Sequence, residues 1–129
     1  MPALARKPLS PQGHRRVDMT LALPGALAVA ALMARRDRAA AALMLMVAAG
    51  EGTALLTTSY PPPVLGAWMD IRQHVRVANL HAAFIAALGL FVPGVQRRHR
   101  PVLLAMAAAP LLLNALTDTR PAADRRPSR

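Results

Sequence analysis

The chain has 129 residues, enough for one domain, with 54% hydrophobic residues, 3% aromatic residues and a formal net charge of +10. The arginines flank apolar runs and are not interleaved with aromatic side chains, so we expect no nucleic-acid partner. The absence of cysteine excludes disulfides and thiolate chemistry.

Four apolar segments follow one another along the chain, at 17–34, 39–60, 75–95 and 102–117. Each is close to the ~20 residues that a helix needs to cross a bilayer. Alanine, leucine and methionine dominate these segments and no period of two appears, which argues against strands. The sequence therefore predicts an all-α fold, an integral membrane bundle of four transmembrane helices.

Basic, proline-rich stretches lie at both ends of the chain. Residues 1–16 and 119–129 are predicted to be disordered basic tails, because they carry many charges and few apolar side chains. Between them, residues 17–118 form the predicted four-helix transmembrane domain.

The distribution of positive charge predicts the orientation. Four spans place both termini on one side of the membrane. The termini and the long loop after the second segment, counted together with Arg76 at the start of the third segment, carry ten lysines and arginines, whereas the two short hairpins carry six. The positive-inside rule then predicts a multi-pass protein of the cell membrane with both termini in the cytoplasm. The bias towards alanine, arginine and proline suggests a GC-rich, bacterial genome.

Glu51, between Gly50 and Gly52, lies near the middle of the second segment. A charge at that depth costs roughly 2.5 to 3.5 kcal/mol on insertion scales, so such groups are usually paired or functional. Ala48 with Gly52, and Gly50 with Ala54, are small residues four apart, a spacing that allows close helix packing. Glu51 is therefore the leading candidate for a functional side chain.

Further polar residues at membrane depth are Arg76, Asn79 and His81 on the third segment and Asn114 on the fourth. Together with Glu51 they form the candidate intramembrane polar site. Because consecutive helices run antiparallel, Glu51 and His81 come within about one turn of the same depth. We therefore expect Glu51 to face the third helix.

Two hypotheses about function follow from this set. In the first, Glu51 joins helices by bonding to His81 or Asn114, and the protein is a non-enzymatic component of an oligomer or of a larger membrane partner. In the second, the protein is a membrane enzyme or proton-coupled carrier, with Glu51 in a polar pocket for a lipophilic small molecule. No known catalytic motif is present, which favours the first hypothesis. Packed side chains around Glu51, Asn79 and His81 would support the first, and an open pocket lined by these residues with Met44, Leu55 and Phe84 would support the second.

The histidines do not predict a metal site. His74 and His81 are seven residues apart, about 10 Å along a helix, which is too far for both to bind one ion. His14 and His99 lie in the flanks of the predicted segments. The sequence therefore predicts neither a metal ion nor another cofactor, and it identifies no catalytic residue.

Overall fold

A computed structural model describes residues 7–60 and 68–120. Its four long helices are α1 (Pro11–Met33), α2 (Arg38–Thr57), α3 (Ile71–Phe91) and α4 (Arg97–Leu116), and each is long and apolar enough to cross a membrane. The described ranges contain no strand beyond two isolated bridges. The predicted all-α class with four membrane-length helices is thereby confirmed.

Parts of the predicted tails and of the long loop lie outside the described residues. They are residues 1–6, 61–67 and 121–129. The predicted disorder of the tails and the proline-rich start of the loop fall largely on these ranges.

Helix α1 begins six residues earlier than the apolar pattern predicts. The Ser10 hydroxyl accepts a hydrogen bond from the Gly13 N–H at 3.1 Å, and Pro11 occupies the first turn, where its fixed φ favours a helix. Residues 11–16, predicted as part of a disordered tail, are therefore helical. The prediction placed the boundary at the arginine pair and overlooked the cap.

A π-helical segment, Asp18–Ala22, interrupts α1. The Leu23 N–H bonds to the Asp18 carbonyl across this wider turn. Pro24 follows directly, and a proline inside a helix lacks an N–H and crowds the carbonyl one turn earlier. The wider turn relieves that crowding. Single-turn π segments are frequent at functional sites, and this one begins at the buried Asp18 side chain.

Helix α3 also begins earlier than predicted. Asp70 and Gln73 form a capping box, in which each side chain accepts a hydrogen bond from the other's backbone N–H at 2.8 Å. The helix therefore starts at Ile71 and includes His74, which the apolar pattern left outside the third segment.

Consecutive helices pack against each other, and α2 is the central one. Half of its apolar window is buried inside the protein, against 17% for α1 and α4 and 28% for α3. Small side chains fill the contact between α1 and α2, where Ala26 and Ala40 are fully buried. The core lies towards the end of the bundle that carries the short hairpins. Its buried members are Ala26, Ala30, Ala40, Leu43, Met44, Val47, Ala48, Ile85, Val95 and Leu103.

Large apolar side chains point away from the bundle. More than half of the surface of Leu21, Leu32, Leu80, Phe91 and Leu112 is exposed. A water-soluble bundle of this size would hide such residues, whereas hydrocarbon solvates them without cost.

Asp37 joins the two short hairpins. Its carboxylate accepts hydrogen bonds from the Ala40 N–H at 3.0 Å and the Gln96 N–H at 2.8 Å, and it contacts His99 Nδ1 at 2.8 Å. Burial alone would raise the pKa of Asp37, but these hydrogen bonds and the charge of His99 outweigh it and hold the pKa below its ordinary value. The loop after α1 is thus tied to the loop before α4.

The described parts of both chain ends meet at the opposite end of the bundle. Leu9 pairs with Thr117, and the Asp118 N–H donates to the Leu9 carbonyl at 2.8 Å. The loop between α2 and α3 lies at this end too. Thr58, just after α2, pairs there with Met69, just before α3.

Candidate functional site

Buried polar residues are concentrated at the end of the bundle where the two chain ends meet. Here the first turns of α1 and α3 approach the last turns of α2 and α4. Nine of the buried polar residues belong to this half, namely His14, Asp18, Glu51, Thr57, Thr58, His74, Asn114, Thr117 and Asp118. The opposite half holds the apolar core, and among its described residues Asp37 is the buried polar side chain.

An open-sided cleft of about 360 Å³ lies between α2 and α3. Glu51 and His81 are its two ionisable lining residues, and Met69, Val77 and Ala78 contribute to its apolar wall. The Glu51 side chain is only 5% exposed. Within the described residues, no hydrogen bond to its carboxyl group is found.

Gly50 allows His81 to lie against α2. A Cβ atom at position 50 would collide with the imidazole ring, so only glycine permits this approach. By contrast, a Cβ atom at Gly52 would meet nothing closer than Leu23 Cδ1 at 3.9 Å. The two glycines beside Glu51 therefore have different roles.

The structure divides the polar set predicted from the sequence into three parts. Glu51 and His81 line the same cleft. Asn114 donates a hydrogen bond to the Asn79 side-chain oxygen at 2.7 Å, which links α4 to α3. Arg76 is exposed. Of the five residues the cleft brings together only Glu51 and His81, and it is not lined by Asn79 or by the expected apolar residues Met44, Leu55 and Phe84.

A second polar group, which the sequence did not predict, consists of His14, Asp18 and His74. We call it the His–Asp cluster. His14 Nε2 lies 3.1 Å from Asp18 Oδ2 and 3.2 Å from His74 Nε2, and His74 Nε2 lies 3.7 Å from the same Asp18 oxygen. All three residues are at most 2% exposed. Their imidazole nitrogens and carboxylate oxygen thus face one point inside the bundle.

Two threonines hold the outer nitrogens of the imidazole rings. His14 Nδ1 is 2.6 Å from the Thr117 hydroxyl, and His74 Nδ1 is 2.8 Å from the Thr58 hydroxyl. Each hydroxyl donates its own proton to a backbone carbonyl one turn earlier, that of Leu113 or Ala54. The hydrogen bonds at Nδ1 therefore fix the orientation of both imidazole rings.

Tyr60 borders the His–Asp cluster. Its ring lies edge-on to the His74 ring, with centroids 6.0 Å apart, and the Arg15 guanidinium sits 5.8 Å from its centroid. The phenol oxygen is buried without a hydrogen-bond partner among the described residues. Burial, and secondly the charge of Asp18, raise the pKa of this phenol, so it stays uncharged near neutral pH.

The cleft and the His–Asp cluster adjoin each other. Glu51 is close enough to Asp18 and His14 for their charges to interact. Along α3, Ala78 of the cleft lies one turn beyond His74 of the cluster. Glu51 thus stands between the cleft and the buried imidazole and carboxylate groups of the His–Asp cluster.

The His–Asp cluster was not evident from the sequence, because the apolar pattern left His14 in a flank and His74 outside the third segment. Both assignments were wrong, since both residues lie inside helices. The four-residue spacing of His14 and Asp18 and the caps at Ser10 and Asp70 were signals that could have extended the helices over them.

Comparison of the chain with protein-family models, with curated proteins and with solved structures gives no match. The fold and the site together define the class, an all-α bundle of four membrane-length helices with a polar half. Function is therefore inferred from the geometry of that half.

Proposed function

We propose that the chain is a bacterial multi-pass integral membrane protein, with the lipid bilayer as its surroundings and both termini in the cytoplasm. Four membrane-length helices and their outward-facing leucines support the membrane location. The excess of positive charge in the termini and the long loop supports the orientation.

Reporter fusions test this topology. Fusions after Arg16 and after Thr119 should report the cytoplasm, whereas a fusion at Asp37 should report the opposite side. A fusion at Gly66, in the loop between α2 and α3, should agree with the termini. Opposite signals from the two termini would contradict the four-span arrangement.

We further propose that the cleft between α2 and α3 binds a lipophilic small molecule. The observation that carries this proposal is the pair of Glu51 and His81 in an otherwise apolar, open-sided cavity. The first sequence hypothesis offered His81 or Asn114 as a bonding partner for Glu51. Asn114 instead bonds to Asn79, and the Glu51 carboxyl has no hydrogen-bond partner among the described residues. A ligand with a polar group would provide that partner.

The dimensions of the cleft restrict its ligand. About 360 Å³ lies at the lower end of the range for small-molecule sites and suits a molecule of a few rings or a short chain. The apolar wall of Met69, Val77 and Ala78 favours a hydrocarbon body, while Glu51 and His81 favour one hydrogen-bonding head group. An enzyme or a proton-coupled carrier would both use such a site.

Association with other copies, or with a larger membrane protein, stays a prediction. An apolar groove of about 390 Å³ between α1 and α4, lined by residues such as Leu21, Gly25, Met106 and Leu113, is compatible with this non-enzymatic role. Cross-linking in intact membranes, followed by mass spectrometry, tests it directly.

Photolabelling tests the ligand proposal with a defined probe. 4-Hydroxybenzophenone has a hydrocarbon body, one hydroxyl group and a carbonyl that inserts into nearby C–H bonds on illumination. In proteoliposomes of the full chain, we expect it to label Met69 and Val77 more strongly than benzophenone does. Peptide mapping by mass spectrometry measures both yields.

Two variants separate hydrogen bonding from general partitioning into lipid. Glu51→Gln keeps the shape and hydrogen-bonding capacity of the side chain and should keep the preference for the phenol, whereas Glu51→Leu should abolish it. Leu80→Ala, on the exposed face of α3, serves as the control and should label as the wild type does. Equal labelling by both probes, in the wild type and in Glu51→Leu, would refute the proposed site.

A further inference from the structure

We propose that His14, Asp18 and His74 bind one divalent transition-metal ion inside the bundle. The ligands would be the two Nε2 atoms and the Asp18 carboxylate. The proposal does not depend on what occupies the cleft, because the His–Asp cluster carries its own geometry.

The distances match those within a metal coordination sphere. Zinc–nitrogen and zinc–oxygen bonds are about 2.0 to 2.2 Å, so neighbouring ligand atoms lie about 3.3 to 3.5 Å apart in a tetrahedron and about 3.0 Å apart in an octahedron. The three separations in the cluster are 3.1, 3.2 and 3.7 Å. One ion placed between the three atoms would reach all of them with small adjustments.

Hydrogen bonding leaves the Nε2 atoms as acceptors. The Thr58 hydroxyl donates its single proton to the Ala54 carbonyl and can only accept from His74 Nδ1. Thr117 donates to the Leu113 carbonyl and accepts from His14 Nδ1 in the same way. In a neutral imidazole whose proton is on Nδ1, Nε2 carries a lone pair. Both lone pairs then point into the cluster.

Asp18 adds a third acceptor to the same point. Its Oδ2 atom is buried and receives no hydrogen bond from the described residues, although both Nε2 atoms are nearby. Three acceptor atoms this close repel one another unless a cation lies between them. Histidines held through Nδ1 by a second polar partner are the usual arrangement around protein-bound metals.

The ligand set indicates the class of metal. Two imidazoles and one carboxylate suit zinc and iron(II), and sites with only three protein ligands leave positions open for water or substrate. Among the described residues, these three form the single group of that kind. Helical bundles commonly build such sites from side chains of facing helices, here α1 and α3.

Protonation is the competing explanation. A proton on one Nε2 atom would make that histidine a cation. The cation would form an ion pair with Asp18 and a hydrogen bond with the other histidine. The two explanations differ in metal content, in the spectrum with cobalt and in the response to chelators.

Metal titration of the purified full chain tests the proposal. The protein is prepared in mild detergent without a polyhistidine tag, stripped with a chelator, and titrated with zinc, with cobalt(II) as a spectroscopic substitute, and anaerobically with iron(II). We expect one ion per chain by elemental analysis, visible cobalt bands, and a higher melting temperature with metal. Because zinc binds more tightly than iron(II) at most such sites, elemental analysis of the protein before it is stripped identifies the native ion.

Variants locate the site. His74→Gln and Asp18→Asn should weaken binding by about 100-fold or more, whereas His81→Gln, a histidine outside the cluster, should bind as the wild type does. Thr58→Val keeps every ligand and removes only the support behind His74, so it should weaken binding by about 10- to 100-fold. That variant remains informative if a ligand variant does not fold.

Two results would overturn the proposal. One is wild-type protein that is folded and binds none of the three ions at millimolar concentration. The other is undiminished binding in folded His74→Gln, Asp18→Asn or Thr58→Val protein. Either result would assign the cluster to protonation alone.

Discussion

Replacing Asp37 with alanine is expected to destabilise the folded bundle by about 3 kcal/mol. The carboxylate caps α2 through Ala40 and also binds the Gln96 N–H and His99 across the bundle. Its side chain is 1% exposed, so removing it leaves the buried Ala40 N–H without its cap and breaks two part-buried hydrogen bonds in the other loop. Loss of a helix cap costs about 1 kcal/mol, and a hydrogen bond to a charged group is worth about 1.5 to 3 kcal/mol.

Asp70→Ala is the matched control. Asp70 also caps a helix through its side chain, but its hydrogen bonds with Gln73 are exposed and local. The Asp70→Ala substitution should lower the free energy of unfolding by only about 1 kcal/mol. Reversible unfolding in mixed micelles at increasing denaturing-detergent fraction measures both losses. Equal effects of the two variants would show that Asp37 is no more than a cap.

The contribution of Asp37 should disappear in acid. Its pKa is lowered in the folded protein from an ordinary value of 3.8. A group with a lowered folded pKa stabilises the protein fully above its unfolded pKa and loses that stabilisation as pH falls through the folded value. Asp37→Asn should therefore be clearly less stable than the wild type at pH 6, with the gap closing well below pH 4, about the unfolded pKa. A gap that is independent of pH would contradict the ionised state of Asp37.

Alanine at Gly50 and alanine at Gly52 should have opposite effects on stability. A Cβ atom at position 50 collides with the His81 ring, which is half-buried and can turn into the cleft, so Gly50→Ala should destabilise the bundle by about 1 kcal/mol, the lower end of overpacking costs. At Gly52 there is space, with Leu23 Cδ1 at 3.9 Å. Gly52→Ala should therefore stabilise α2 by up to about 1 kcal/mol, because alanine is the better helix former.

A double-mutant cycle shows whether the His81 ring causes the difference. In a His81→Ala background the collision is absent, so Gly50→Ala should become neutral or stabilising. The same background should leave the effect of Gly52→Ala unchanged. Unfolding in micelles measures all combinations, and a coupling energy near zero between positions 50 and 81 would mean that the ring does not rest on Gly50.

The apolar pattern predicted the presence and number of the helices correctly and their ends less well. Each long helix coincides with one apolar segment. The thickness of the bilayer sets the length of a span at about 20 apolar residues, and this length does not depend on the order of those residues. The starts of α1 and α3 were placed too late. There the side chains of Ser10 and Asp70 extend the helices into polar sequence.

The structure brings together only part of the predicted polar set. Glu51 and His81 share the cleft, as their matching depths on antiparallel helices led us to expect. Asn79 and Asn114 bond to each other instead, and Arg76 is exposed. Depth follows from counting residues, but the face of a helix that meets a neighbour depends on how both helices rotate when they pack.

The sequence by itself determined the class of fold, the membrane-length helices and the position of one carboxyl near mid-depth. These follow from local composition and from the high cost of polar groups in hydrocarbon. Only the tertiary structure brought His14 and Asp18 to His74, which is 60 residues beyond His14 in the chain. The π-helical turn at Asp18, the caps and the helix rotations together decide that meeting, and no single stretch of sequence contains them all.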